Sequence, residues 1–150
     1  MKFHKLLSTL MSGAVLFAAQ SVMAEDHTVK AVITQWDPMV LFVEPGDRVL
    51  WTNMVGHNVA LVEGMHPEGV ETFSSKMGEE NYNVTFEKEG AYVYICTPHV
   101  STGMVGVVVV GENPDNVEAL DAALPSVKIG RNMVGRAIRK MKKELAARGG

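Results

Sequence analysis

The chain has 150 residues and a mass of 16.3 kDa, which is the size of a single domain. Hydrophobic residues make up 47% of the sequence and charged residues 21%, with a formal net charge of −3, so the composition argues against a disordered chain and gives no reason to expect a nucleic-acid partner. The only cysteine, Cys96, excludes a scaffold held by an intramolecular disulfide.

Residues 1–24 have the layout of a cleaved secretory signal peptide. Lys2 and Lys5 give a positive start, an apolar stretch follows over 6–19, and small residues surround a cleavage point after Ala24. The apolar stretch is about 14 residues long, shorter than the roughly 20 needed to span a bilayer. The pattern predicts export to a bacterial periplasm without stable membrane insertion.

Charge is distributed unevenly along the exported part of the chain. Residues 25–125 carry a formal charge of −12, whereas residues 126–150 carry +7. Any partner of the protein has to accommodate an acidic body with a basic C-terminal segment.

The segment from residue 25 to 112 is predicted to form one all-β domain. The strand signals are short runs rich in β-branched and aromatic residues, separated by glycines and by the turn Pro45-Gly46-Asp47. These runs are His27–Ile33, Met39–Val43, Arg48–Thr52, Val59–Val62, Tyr82–Phe86, Ala91–Cys96 and Gly106–Val110. They predict an antiparallel β-sandwich, with one face of the Tyr92–Ile95 strand buried and both faces of 107–110 buried.

Residues 113–150 are predicted to form a helical extension of two helices. Asn113 is expected to cap the first, with Pro114 at its first position and its end near Leu124-Pro125. The second is expected over 131–147, where apolar residues recur on one face: Val134, Ile138, Met141 and Leu145. The favoured interpretation is that this stripe packs on the sandwich and the basic face is solvated. A membrane-surface helix is less favoured, because the stripe is narrow and lacks aromatic residues.

The segment between the last two predicted strands carries a candidate metal site. Cys96, His99 and Met104 offer a thiolate, an imidazole and a thioether from one short loop, and His57 lies on a neighbouring segment. Two histidines and one cysteine in a plane with a weak axial methionine suit a single copper ion that cycles between Cu(II) and Cu(I). Zinc could bind the same ligands but cannot carry an electron.

Each ligand also has an ordinary structural interpretation. A lone buried cysteine often only fills space, a lone histidine usually makes a plain hydrogen bond, and Met104 could be a core residue. A nucleophilic enzyme using Cys96 with His99 as base is disfavoured, because no third orienting group is apparent and Met104 would have no role. The combination of all four residues in an all-β chain favours copper and predicts a protein that is not an enzyme.

The chain resembles the cupredoxins, the blue copper proteins, and among them the pseudoazurins. The resemblance is carried by the segments 45–47, 56–59, 65–69 and 96–104 and by the two C-terminal helices. It implies a Greek-key sandwich of eight strands with copper near one end, held by His57, Cys96, His99 and Met104. It also implies a hydrogen bond between Asn58 and Thr97 that ties the two ligand segments together.

The same resemblance implies a soluble electron carrier that docks transiently on redox proteins. Candidates for an apolar patch around His99 are Val55, Met54, Pro67, Pro98 and Val100. The lysine ring of pseudoazurins is missing, and Glu63, Glu68 and Glu71 are expected near this face. A cytochrome c is therefore as good a candidate partner as a copper nitrite reductase. We expect a monomer, and the alternative function is copper storage or delivery.

A second candidate site depends on where the signal peptide is cut. If cleavage follows Ala24, the new N-terminus Glu25-Asp26-His27 offers an amine, two amide nitrogens and an imidazole. Such a square-planar nitrogen set suits Cu(II) or Ni(II). The alternative is that His27 simply begins the first strand.

Overall fold

The computed structural model describes residues 23–149 as a β-sandwich followed by two helices. The predicted signal peptide therefore lies almost entirely outside the described residues. The eight strands are β1 (Asp26–Val32), β2 (Gln35–Asp37), β3 (Val40–Val43), β4 (Arg48–Thr52), β5 (Ala60–Leu61), β6 (Tyr82–Thr85), β7 (Gly90–Ile95) and β8 (Val105–Val110). The helices are α1 (Val117–Ala123) and α2 (Arg131–Arg148), with 3-10 turns at Thr97–Thr102 and Leu124–Ser126.

The strands form two four-stranded sheets that enclose one core. Their orders are β2-β1-β4-β6 and β3-β8-β7-β5. The prediction of antiparallel pairing holds only in part, because β1 pairs with β4 and β3 pairs with β8 in parallel. The chain crosses from the first sheet to the second between β2 and β3. A strand that follows such a crossover can lie beside an earlier strand and run in the same direction, as β4 does beside β1.

Strand β2 is absent from the seven strands predicted from sequence. It has three residues, of which only Trp36 is buried, and Pro38 follows it directly. So short a run carries no readable alternation. Its register nevertheless matters, because Trp36 pairs with Ala31 of β1 and thereby enters the core between the sheets.

Strand β7 is buried on both faces, where the sequence predicted one. Tyr92 and Tyr94 face the core between the sheets, while Val93 belongs to a second apolar cluster that includes Ile138 and Met141 of α2. The helix therefore covers the outer face of the sheet. This is the predicted packing of the α2 stripe, and β8 is buried along its whole length as predicted.

The first helix begins later than predicted. Its N-cap is Asn116, not Asn113, and the Asn116 side chain does not cap the helix. Instead its amide accepts a hydrogen bond from the Ala91 N–H at 2.7 Å and donates one to the Ala91 carbonyl at 2.9 Å. Within residues 23–149, no helix is both long enough and apolar enough to cross a membrane.

Candidate metal centre

Three side chains bring metal-binding atoms together at one end of the sandwich. The Cys96 Sγ lies 3.6 Å from the His57 Nδ1 and 3.4 Å from the His99 Nδ1, and the two nitrogens are 3.2 Å apart. A point equidistant from these three atoms is about 2.0 Å from each, close to the metal–nitrogen and metal–sulfur bond lengths of proteins. In the described part of the chain this is the one cluster of three such ligands.

The loop after β7 fixes three of the predicted ligands relative to one another. The Cys96 N–H donates to the Met104 carbonyl at 3.0 Å, and the Met104 N–H donates to the His99 carbonyl at 3.1 Å. The His99 N–H in turn donates to the Cys96 carbonyl at 3.1 Å. Because each of the three ligand residues is bonded to the other two, none can shift alone.

His57 comes from the long connection that follows β4. Its N–H donates to the Met54 carbonyl and its carbonyl accepts from the Gly78 N–H, both at 2.8 Å. The imidazole is buried, and burial followed by the proximity of His99 lowers the pKa of His57 below its ordinary value. A lowered pKa keeps the ring neutral, which is the form that binds a metal.

Asn58 and Thr97 connect the two ligand-bearing segments. The Thr97 N–H donates to the Asn58 Oδ1 at 2.8 Å, and the Asn58 Nδ2 donates to the Thr97 Oγ1 at 3.0 Å. These residues directly follow His57 and Cys96 in the chain. The paired bonds therefore hold the first histidine and the cysteine at a constant separation.

The donor set fits copper. A soft thiolate and two imidazoles in a near-equilateral arrangement, with a buried methionine on the same loop, are ligands that copper accepts in both oxidation states. Cys96 and Met104 are both inaccessible to solvent, while His99 is partly exposed. An ion held here would be shielded from water but would have one ligand edge near the surface.

Comparison with known proteins agrees with this geometry. A family model described as copper binding proteins, plastocyanin/azurin family, matches residues 23–111. The chain belongs to this family. His57, Cys96, His99 and Met104 accordingly form a type 1 copper site, and the protein is a cupredoxin-type electron carrier.

Within the cupredoxins, the similarity extends along most of the chain to pseudoazurins. A putative pseudoazurin of Rhizobium leguminosarum bv. viciae is 38% identical over 130 residues, covering 82% of this chain and 83% of that protein. Pseudoazurin of Paracoccus pantotrophus is 35% identical over 130 residues, covering 81% and 87%. The structure of pseudoazurin from Methylobacterium extorquens AM1 superposes with a TM-score of 0.67 at 32% identity, covering 79% and 98%.

The apolar patch predicted around His99 is only partly correct. Val55 is 82% exposed and Pro98 is exposed, but Met54 and Val100 are buried. Val100 packs in the cluster beneath α2, and the Met54 N–H is bound by Glu80. Both side chains are therefore part of the support of the site and not of its surface.

Two other residues assigned to this face lie at the opposite end of the sandwich. Pro67 is buried against Gly90, at the start of β7, whereas Cys96 follows the end of that strand. The Glu68 carbonyl accepts a hydrogen bond from Lys88, also next to the start of β7. The sequence placed them wrongly because the connection between β5 and β6 folds back along the sandwich.

The exposed apolar residues at the copper end come instead from several loops. Ile33 follows β1, and Met77 precedes Gly78, whose N–H is bonded to the His57 carbonyl. Ile129 precedes Gly130, which is packed against Val100. We call the surface formed by Ile33, Val55, Met77, Pro98 and Ile129 the copper face.

Glu80 supports the site and was not identified from the sequence. Its carboxylate accepts hydrogen bonds from the N–H groups of Asn53 and Met54, at 3.0 and 2.5 Å. It therefore fixes the turn from which His57 follows. Nothing in the local sequence distinguishes Glu80 from the other acidic residues, because its partners lie 26 and 27 residues away.

The candidate N-terminal site at Glu25, Asp26 and His27 remains a prediction. The Glu25 N–H donates to the Asp47 Oδ1 at 2.8 Å, and the His27 Nε2 lies 2.7 Å from the Asp47 Oδ2, which leaves the His27 Nδ1 without a partner among the described residues. A copper titration of the mature protein, repeated with one residue added before Glu25, would test it. Binding of two copper equivalents by the mature protein and of one by the extended protein would support the site. Binding of one equivalent by both proteins would contradict it.

Proposed function

We propose that this protein is a soluble periplasmic electron carrier that moves single electrons between redox proteins of a respiratory chain. The observation that carries the proposal is the donor triangle of His57, Cys96 and His99, closed to solvent except at His99. Copper bound there would supply the Cu(II)/Cu(I) couple. The N-terminal pattern of residues 1–24 supports the periplasmic location.

The hydrogen bonds that hold the loop 96–104 in place explain why the site suits electron transfer. The ligands of residues 96–104 are cross-linked by backbone hydrogen bonds, and Asn58 ties His57 to the same loop. A rigid set of ligands moves little when the charge of the ion changes. Little rearrangement means a small barrier to each electron transfer.

The copper face gives a partner its point of contact. Five exposed apolar side chains lie at the end of the sandwich that carries His99, so a partner can exclude water from the short distance between its own redox group and this ligand. A small apolar contact also permits rapid dissociation, which a shuttle needs. Transient docking of a monomer is the expected mode of interaction.

The charges near the copper face are mixed. Lys128 and Arg131 lie beside the loop at Ser101, in a shallow groove, and Lys76 adjoins Met77. Glu79 and Glu80 are nearby in the chain, but the Glu80 carboxylate is occupied by backbone N–H groups. A cytochrome c and a copper nitrite reductase both remain candidate partners.

The visible absorption spectrum tests the redox proposal. The mature protein loaded with Cu(II) should show an intense thiolate–copper colour that bleaches with ascorbate and returns on oxidation. Cys96→Ser should bind Cu(II) with a pale spectrum and lose this behaviour. A pale wild-type spectrum would contradict the proposal.

Copper storage or delivery is the alternative that a second measurement addresses. A delivery site has to exchange its metal, whereas Cys96 and His57 are buried here. We expect a mild chelator to remove copper slowly from the folded protein. Rapid loss of copper from a protein that does not re-oxidise would favour delivery.

Small redox reagents can measure the electrostatics of the copper face without a known partner. Oxidation of the reduced protein by anionic ferricyanide should slow by about threefold or more in the Lys128→Glu/Arg131→Glu variant at low salt. Oxidation by the cationic tris(phenanthroline)cobalt(III) complex should accelerate. Lys143→Glu, on an exposed part of α2 farther from the loop, is the control and should change both rates less.

A further inference from the structure

An unbroken series of aromatic rings leads from the copper site across the core. The Trp36 ring centroid lies 6.3 Å from that of the ligand His57 and 5.6 Å from that of Tyr94. Tyr94 and Trp51 follow at 5.2 Å, and Trp51 and Tyr82 at 6.0 Å. Rings at these separations are in contact with one another.

The strand registers impose this series. Trp36 is fixed by its pairing with Ala31, and Trp51 is directly opposite Tyr82 across the β4–β6 ladder. Tyr94 enters from the other sheet and contacts both tryptophans. The series thus crosses from one edge strand of the first sheet, β2, to the other, β6.

The series uses almost every oxidisable aromatic residue of the protein. The chain has two tryptophans and three tyrosines, and only Tyr92 lies outside the series. Trp36, Trp51, Tyr92 and Tyr94 are buried, whereas Tyr82 is half-buried. An oxidant in solution therefore reaches the series at Tyr82.

Polar groups in the middle of the series lack protein partners. Among the described residues, no atom accepts a hydrogen bond from the Trp36 Nε1 or from the Tyr94 hydroxyl. Burying such a group without a protein partner costs about 1–3 kcal/mol, a cost that phenylalanine, with nearly the same shape, would avoid at Tyr94. Residues that can be oxidised occupy these positions in spite of that cost.

The same contacts indicate different roles for the rings. Tyrosine loses a proton when it is oxidised, and the Tyr94 hydroxyl has no protein acceptor for that proton. Tyr94 therefore does not become a radical itself and only mediates the passage of an electron between Trp36 and Trp51. Tryptophan can lose an electron while keeping its N–H proton. Tyr82 is half-buried, so water can take and return its phenolic proton.

We propose that Trp36, Tyr94, Trp51 and Tyr82 form an aromatic relay through which the reduced copper site donates an electron to strong one-electron oxidants that react at Tyr82. The proposal rests on the proposed redox function and adds a second route, separate from the edge of His99. An oxidising radical takes one electron from Tyr82, whose phenol releases a proton to water. An electron from Cu(I) then passes through Trp36, Tyr94 and Trp51 to the phenoxyl radical, which regains a proton, so that one radical is reduced and one Cu(I) becomes Cu(II).

Pulse radiolysis with the azidyl radical, an oxidant selective for tryptophan and tyrosine, tests the relay. In the reduced copper-loaded protein, the phenoxyl absorption should decay while the thiolate–Cu(II) absorption rises at the same rate. In the metal-free protein, the phenoxyl radical should persist, and electron paramagnetic resonance should assign it to Tyr82. Tyr82→Phe should remove the radical signal.

Interior variants distinguish the relay from direct oxidation at His99. Trp36→Phe and Trp51→Phe keep a ring in place and should slow the transfer from copper to the phenoxyl radical by about tenfold or more. Tyr92→Phe, in the same core but outside the series, is the matched control and should leave the rate unchanged. Equal rates in all four proteins would overturn the proposal.

The failure of the relay can be told apart from the failure of the redox function. Each variant is first reduced with ascorbate and re-oxidised, with the bleaching of the thiolate–copper colour as the measure of an intact site. A protein that does not bleach contradicts the electron-carrier function and the relay with it. A protein that bleaches and recolours, but whose Tyr82 radical does not oxidise copper, contradicts the relay alone.

Discussion

Asn58 and Thr97 are joined by two reciprocal hydrogen bonds, although they lie 39 positions apart in the chain. One bond is accepted from the Thr97 backbone and the other is donated to its hydroxyl. Each residue directly follows a copper ligand, His57 in one case and Cys96 in the other. The pair therefore links the two segments of the site without touching the ion.

Removing this link should weaken the protein in a graded way. Asn58→Ala loses both bonds and should lower the free energy of unfolding by about 1–3 kcal/mol, whereas Thr97→Ala loses one and should cost about 0.5–1.5 kcal/mol. Urea denaturation of the metal-free variants measures these losses. The visible spectrum of the Cu(II)-loaded Asn58→Ala protein should shift as well, and equal losses in both variants would contradict the two-bond interpretation.

Asp47 lies at the end of the sandwich opposite to the copper ligands, directly before β4. Burial alone would raise the pKa of Asp47, but its carboxylate accepts from the N–H groups of Glu25 and Glu44 and contacts the His27 ring at 2.7 Å. Together these contacts hold the pKa of Asp47 below its usual range. The ionised carboxylate therefore stabilises the fold above about pH 4, and that contribution disappears as the pH falls through the lowered pKa.

Asp47→Asn should show both effects. An amide cannot accept all of these bonds, so we expect a loss of about 2 kcal/mol near neutral pH. The difference from the wild type should shrink as the pH falls into the acid range. Urea unfolding of the metal-free proteins at several pH values measures it, and a difference that is independent of pH would show that the charge of Asp47 is not what stabilises the fold.

Ile33, directly after β1, has an unfavourable backbone conformation. Its φ is +55°, a left-handed conformation that is unfavourable for a β-branched residue, and its side chain is 85% exposed. Ile33→Asn should therefore raise the free energy of unfolding by about 1 kcal/mol. Val32→Asn, the same kind of change at a neighbouring strand residue with an ordinary φ, is the control and should not stabilise the protein.

Ile33→Asn should also separate stability from docking. The variant removes one apolar side chain from the copper face, so a protein partner should associate more weakly with it. Electron exchange with ferricyanide, which needs no apolar contact, should stay nearly unchanged. A decrease in thermal stability would contradict the strain assigned to Ile33.

The sequence predicted the copper ligands well because three of them lie within nine residues. Spacing that short leaves the loop few ways to present Cys96, His99 and Met104. Helix α2 was likewise predictable from the periodic recurrence of its apolar residues. The exposure of individual side chains could not be predicted from the sequence. Val55 and Val100 are both valines near ligands, yet only the first is exposed, because α2 covers the second.

Other features depended on contacts distant in sequence. The parallel pairing of β1 with β4 is a consequence of the crossover between the sheets, and it cannot be predicted from the residues of the two strands. Glu80 and Asn116 act through backbone groups at least 25 residues away. Local pattern predicts elements and clustered ligands, whereas the support of the site depends on which loops the completed fold brings together.

The helical extension contacts the copper loop where Gly130 meets Val100. Gly130, the residue before α2, has a φ of +71°, and a Cβ built on it would lie 2.2 Å from the Val100 Cγ2. Gly64 has a similar φ of +73° but open space around its Cβ position. Gly64→Ala should therefore cost about 1 kcal/mol for the backbone alone, and Gly130→Ala about 2–4 kcal/mol because it also overpacks Val100.

The Gly130→Ala variant should also alter the copper spectrum, because Val100 directly follows the ligand His99. Gly64→Ala should leave the spectrum unchanged. Adding Val100→Ala removes the methyl group that the new side chain meets, so the double variant should regain a spectrum close to that of Val100→Ala alone. If Gly130→Ala loses stability while its spectrum stays that of the wild type, α2 acts only as a cover for the sheet and does not hold the ligand loop in position.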